Sequence, residues 1–311
     1  MISNFLKSLN NGTLLLSIYR NLNHRKYTVQ ESNNLIGLYM RLVCYEKVHD
    51  KYMYVLENHK PSKKIDQVKS NYLWVSWFQG YDNAPELPRK CIDNIRSRFS
   101  DYQVVLIDQD NFSEYIDIPD WFLEKWEKGV IDNTKLSNLI RLELLIKYGG
   151  IWMDSTVFCS DSKLPDYITN SDLFMYAENG LGDIRMGATW LISAKSNNNI
   201  LRATRDVYLE YWKNENELIE YFLITFCIKM AAEKYPEEWR AMPKIPAINQ
   251  YMLATDVFDV YDEVRWNQLK NLTSIHKLSF KESKELYGIP GTYYEKLIRN
   301  MESYKRYEKQ R

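Results

Sequence analysis

Short β-branched and aromatic runs alternate along the middle of this chain with segments whose apolar residues recur every three or four positions. Tyr72-Leu73-Trp74-Val75-Ser76-Trp77-Phe78 predicts a first strand, ending at Gln79-Gly80, where a backbone can approach a ligand closely. Pro85-Glu86-Leu87 opens a helix in which Leu87, Cys91, Ile95 and Phe99 repeat at intervals of four. Val104-Val105-Leu106-Ile107 is a second strand, ending in Asp108. Strand, helix and strand this close together predict a right-handed βαβ unit. Another helix starts at Ile118-Pro119-Asp120-Trp121 and closes at Gly129. From Leu136 to Tyr148 the chain is apolar on nearly every face, which predicts a buried helix. Gly149 and Gly150 end it, and Ile151-Trp152-Met153 follows as a short central strand.

Leu173-Phe174-Met175-Tyr176 and Thr189-Trp190-Leu191-Ile192 read as further strands. Ile200, Ala203, Val207 and Tyr211, then Leu218 to Met230, read as two helices, within a helical region at about 199–250. Pro236 to Pro246 reads as a long loop. The alternation predicts a mostly parallel α/β sheet. Residues 1–65 form a helical N-terminal extension, with Leu35, Leu38, Tyr39, Leu42 and Val43 at helical spacing, and Pro61-Ser62-Lys63-Lys64 as a polar break. Residues 66–311 form the main domain.

Charge changes the picture in one respect. Lys/Arg and Asp/Glu balance at 41 each, which excludes a general nucleic-acid binder. Residues 1–70 nevertheless carry a net +6 and residues 296–311 a net +4, leaving −10 between them. Basic ends around an acidic body fit either an anionic membrane surface or plain solvated helix faces. Cys44, Cys91, Cys159 and Cys227 have no paired spacing and sit in apolar contexts, so they read as buried free thiols of a reducing compartment. Four histidines without metal spacing exclude a structural zinc site. No secretory signal or membrane-length apolar run is visible, so the expected location is cytoplasmic, peripheral at the inner face of the cell membrane. The 24 tyrosines and 9 tryptophans suit sugar or base stacking, although most aromatic residues simply pack.

Candidate chemistry converges on the buried helix and the strand after it. Asp154 falls at the carboxyl end of that strand, where open α/β sheets hold their ligands. Arg141 is one charge in an apolar helix and needs an anionic partner. Ser137-Asn138-Leu139-Ile140-Arg141-Leu142, six residues, then Tyr148-Gly149-Gly150-Ile151-Trp152-Met153-Asp154-Ser155-Thr156 resembles the core motif of glycosyltransferase family 32. It is similar above all to bacterial capsular polysaccharide synthesis glycosyltransferases, more weakly from about Tyr72 to about Phe280.

The resemblance implies a GT-A fold, a nucleotide-binding Rossmann-type sheet with helical N-terminal and C-terminal additions. It implies a retaining glycosyltransferase moving a sugar from a nucleotide-sugar donor, a UDP-sugar, to a lipid-linked oligosaccharide acceptor in capsular polysaccharide synthesis. Asp154 becomes the expected catalytic residue and ligand of a divalent metal, Mn2+ or Mg2+, with Arg141 on the donor. Thr156 stands where the wider superfamily has a second Asp, and Asn138 stands where related sequences carry an Asp one turn before the Arg. Trp77, Gln79 and Gly80 are expected at the nucleoside. In Ser274-Ile275-His276-Lys277-Leu278, His276 is expected on the metal and Lys277 on the diphosphate. Thr156 and Asn138 also leave open a non-catalytic sugar- or nucleotide-binding module on the same fold. Phosphate loops of the Gly-x-x-x-x-Gly-Lys and Gly-x-Gly-x-x-Gly types are missing.

Overall fold

The computed structural model describes residues 29–63, 66–178 and 186–301, with residues 9, 12–16 and 18 nearer the N-terminus. Its strands are β1 Tyr72–Ser76, β2 Gln103–Ile107, β3 Gly150–Met153, β4 Val157–Cys159, β5 Leu173–Met175, β6 Leu191–Ala194 and β7 Ile275–Lys277. Its longer helices are α1 Val29–Tyr52, α2 Glu86–Arg98, α3 Asp120–Glu127, α4 Asn133–Tyr148, α5 Asn199–Asn214, α6 Leu223–Lys234, α7 Ile248–Asp256 and α8 Glu263–Leu272.

Five strands form one sheet in the order β2-β1-β3-β6-β5. Successive side chains of a strand point to opposite faces, so each central strand feeds two cores. Trp74 and Trp152 enter one core with α4, α5 and α6. Leu73, Val75, Ile151 and Met153 enter the other, covered by Ile92, Ile95 and Phe99 from α2 and its end. The α1 helix closes the first core from outside, where Cys44, Tyr45, Val48 and Tyr52 are buried with Phe226 and Cys227 of α6.

The expected strand–helix–strand start is present, with β1 and β2 paired in parallel along their whole length. The expected mostly parallel sheet is not. β6 runs antiparallel to both β3 and β5. Among the described residues, no helix of crossover length separates β5 from β6, and a strand that returns directly to its neighbour must run antiparallel. A second correction falls on the Pro236–Pro246 loop, whose first half is the helix Pro236–Ala241, with proline at its first turn, where the missing N–H costs nothing. The helix expected from Leu218 begins only at Leu223.

Two glycines make the core helix meet its strand. The α4 helix is capped by the Asp132 carboxylate, which accepts from Lys135 N, and it stops at Gly149 with φ +70°. A Cβ on Gly149 would stand 2.7 Å from the Ser196 nitrogen. On Gly150, with φ +97°, it would stand 2.4 Å from the Tyr72 carbonyl oxygen, so β3 could not lie beside β1. Outside the main sheet, β4 and β7 form an antiparallel pair joining Phe158 to His276 and Val157 to Lys277.

Among the described residues no helix is long and apolar enough to cross a membrane. All four cysteines are free and buried. Most of the basic N-terminal segment before residue 29, and the 302–311 tail, lie outside the described residues. The membrane expectation rests on both.

Candidate active site

The carboxyl ends of β1 and β3 open into a cavity of about 510 Å³. β1 brings Ser76 and, just beyond it, Trp77, Phe78 and Gln79; the end of β3 brings Trp152, Asp154, Ser155 and Thr156. The start of α4 contributes Asn133, Thr134, Ser137 and Arg141, while β7 and the chain after it contribute Lys277, Leu278, Ser279, Phe280 and Lys281. Tyr221, Tyr251 and Ala254 complete the wall.

Asp154 is held between two cations. Arg141 Nη2 lies 3.5 Å from its Oδ1 and Lys277 Nζ 3.7 Å from its Oδ2. Trp152 Nε1 donates to the same Oδ1 at 3.0 Å. The buried guanidinium thus has the anionic partner its helix demanded. Its place is fixed further by donation from Nη1 to the Thr189 carbonyl at 2.6 Å and by the Trp152 ring 4.9 Å beneath it. Nε and Nη2 donate back to the carbonyl and hydroxyl of Ser137, at 3.3 and 3.4 Å. Burial pulls Arg141 below the usual guanidinium range, and the Asp154 carboxylate opposes that pull. Lys277 donates to the Thr156 hydroxyl and to the Leu278 carbonyl.

The aromatic wall holds one unpaired donor. Trp77 packs edge-on against Phe280, and its indole N–H is buried without a partner. A buried donor left unmade costs about 1–3 kcal/mol. On the other side, Tyr251 donates to Glu178 Oε1 at 2.7 Å and accepts from Trp190 Nε1 at 2.8 Å. Burial, then Glu178, holds the Tyr251 phenol well above its ordinary range, so it stays a neutral hydroxyl.

Of the residues singled out in the sequence, Asp154, Arg141, Lys277, Trp77 and Gln79 meet in this cavity. Gly80 lies behind it, turning the chain at φ +84°. Asn138 is buried beside Tyr208, while Ser137, one residue earlier, faces the cavity beside Arg141. His276 points away from the cavity. Its ring packs against Phe158 and Trp266, its Nε2 meets Ser160 Oγ at 3.2 Å, and burial pushes its pKa down to about 4. Strand alternation explains this, because Lys277 faces the cavity and its neighbour must face the other side. Ser137, Tyr251, Phe280 and Glu178 were not foreseen. Only Ser137, four residues before Arg141, carried a readable signal.

The oxygen set around Asp154 does not fit the expected Mn2+ or Mg2+. Such ions take one or two carboxylates and draw their other ligands from water and phosphate, and Asp154 is the one carboxylate among the described residues that line the cavity. Thr156 offers a hydroxyl already engaged by Lys277. Both carboxylate oxygens face a cation, and like unit charges about 4 Å apart repel by roughly 4 kcal/mol near a protein surface.

Residues 24–297 match the capsular polysaccharide synthesis protein family. The chain belongs to that family. It is also similar to O-glycosyltransferase braB of Annulohypoxylon truncatum, at 34% identity over 95 residues. That stretch is 28% of this chain and 23% of the relative, so the match spans less than a quarter of the relative's length. Among solved structures, a PaToxG glycosyltransferase aligns with 79% of this chain and 87% of its own, at 15% identity and a TM-score of 0.40.

Proposed function

We propose that this member of the capsular polysaccharide synthesis family is a glycosyltransferase that takes a nucleotide sugar, a UDP-sugar, as donor. The observation that carries the reading is Asp154 paired with Arg141 and Lys277 at the end of the central strand, inside an aromatic-walled cavity. Membership of that family and the similarity to an O-glycosyltransferase support it. Trp77 and Gln79, which line the cavity, bind the nucleoside. Arg141 and Lys277 face the diphosphate, where charge builds as the sugar departs. Tyr251, held by Glu178, presents a hydroxyl-reading group on the sugar side.

The sheet serves as a GT-A-like platform. The bond from the anomeric carbon to the β-phosphate oxygen breaks, and a bond to the acceptor hydroxyl oxygen forms. The acceptor's proton passes to the departing phosphate oxygen. No second carboxylate faces the cavity from the described residues, which favours same-face displacement and retention of configuration. The acceptor is a hydroxyl of a lipid-linked oligosaccharide at a cell-surface polysaccharide assembly site.

Incubation with a panel of nucleotide sugars, following release of free nucleoside diphosphate, tests this. Release from one donor, lost in Lys277→Met, is expected. Donor binding with no release under any condition would instead favour a binding module, and no binding would refute the reading.

A further inference from the structure

The cavity is an anion site before any ligand enters. Arg141, Lys277 and Lys281 line it against the one carboxylate of Asp154, a net +2 in a chain whose overall formal charge is 0. The diphosphate of a nucleotide donor supplies the missing negative charge directly. A divalent cation would bring more positive charge to a carboxylate whose two oxygens each already face a cation.

The local chemistry at Thr156 points the same way. At that position a carboxylate would widen the oxygen set around Asp154. The hydroxyl found there instead accepts a hydrogen bond from the Lys277 ammonium and draws it over the end of β3. The antiparallel pairing of Val157 with Lys277 sets this approach, so the lysine arrives by backbone register and not by side-chain reach alone. Arg141 is the rigid partner. It is 5% exposed, fixed by its donations to Thr189 and Ser137 and laid over Trp152. An ammonium has three N–H donors; two of Lys277's meet Thr156 and Leu278, and Asp154 at 3.7 Å is beyond hydrogen-bond length. One donor is free for a phosphate oxygen.

We propose that the chain binds a nucleoside diphosphate through Lys277 and Arg141 without a divalent cation, and that Asp154 is a positioning residue for these two cations and not a metal ligand. This rests on the nucleotide-sugar reading above. Asp154 holds the pair together in the free protein, since two cations facing one cavity repel unless an anion stands between them. The incoming diphosphate then takes over as the shared anion. Charge-assisted hydrogen bonds from fixed donors suit this role.

The test is calorimetric titration of the full chain with UDP, GDP, CDP and ADP, in millimolar Mn2+ and again in a chelator. At least one diphosphate should bind, with the two dissociation constants within about threefold of each other. Lys277→Met should weaken that binding roughly tenfold or more in both solutions. Asp154→Asn, which leaves the two cations without their shared anion, should shift binding by the same factor in Mn2+ and in chelator, whereas loss of a metal ligand would remove only the part that depends on Mn2+. Thr156→Asp, which restores a second carboxylate, should make binding respond to Mn2+. Wild-type binding that falls roughly tenfold or more in chelator would overturn the inference and leave the nucleotide-sugar reading intact. If none of the four binds folded protein in either solution, the nucleotide reading fails and this inference with it. A circular-dichroism spectrum of each variant confirms that it has folded.

Discussion

His276 gives the protein a calculable weakness to acid. The side chain is fully buried between Phe158 and Trp266, its Nδ1 has no partner, and burial lowers its pKa from 6.5 to about 4. The folded chain therefore holds a neutral imidazole at a pH where the unfolded chain has already taken up the proton. For a depressed histidine pKa the stabilising contribution is whole above about pH 6.5, declines as pH falls through the window below it, and is gone near pH 4. The full span corresponds to about 3 kcal/mol, and the part lost between pH 7.5 and pH 5 to about 2 kcal/mol. A group with no exposure needs no discount for solvent screening. Because His276 pairs with Phe158 across β4 and β7, its protonation should loosen the strand that carries Lys277. Urea unfolding at the two pH values, for wild type and for His276→Gln, isolates the effect, since all other titrating groups are common to both. The wild type should lose about 2 kcal/mol more than the variant over that interval. A difference below about 0.5 kcal/mol would mean that the imidazole is solvated or charged in the folded state, and the account of its burial would be wrong.

Gly150→Ala should destabilise the fold by about 3 kcal/mol or more in urea unfolding, because φ is +97° and the new Cβ meets a backbone oxygen at 2.4 Å that no side-chain rotation can clear. Asn138→Asp should cost roughly 1–3 kcal/mol of stability while leaving the ranking of donor sugars unchanged, since the side chain is buried beside Tyr208 and outside the cavity. A changed ranking would show that it reaches the sugar. Tyr251→Phe should keep nucleoside diphosphate affinity within about threefold yet alter which donor sugars are hydrolysed, because it removes the hydroxyl set between Glu178 and Trp190. Loss of nucleotide affinity in that variant would place Tyr251 at the wrong end of the donor.

What the chain's pattern revealed and what it hid divide along a physical line. Apolar periodicity and glycine placement marked the buried α4 helix, its stop at Gly149-Gly150 and the strand that aims Asp154, because each of these is a local property. Arg141 was readable as a paired buried charge for a similar reason, since its helix left it no solvent. Strand direction was not local. The antiparallel run of β6 depends on how β5 connects to it, and alternating hydrophobicity is the same in either direction. The site residues that were misjudged failed by one position each. His276 and Lys277 were both expected in the site, but the β4 pairing of that segment puts only one of two neighbours on the cavity side. Asn138 and Ser137 differ in the same way. A helix brings the third and fourth residues before Arg141 near it, and only the packing of Tyr208 against Asn138 decides which of them is left to face the ligand. The contact of greatest consequence, Lys277 with Thr156, joins positions 121 residues apart. Thr156 alone reads as a lost metal ligand; beside Lys277 it reads as a hydrogen-bond acceptor that holds a cation over the end of β3.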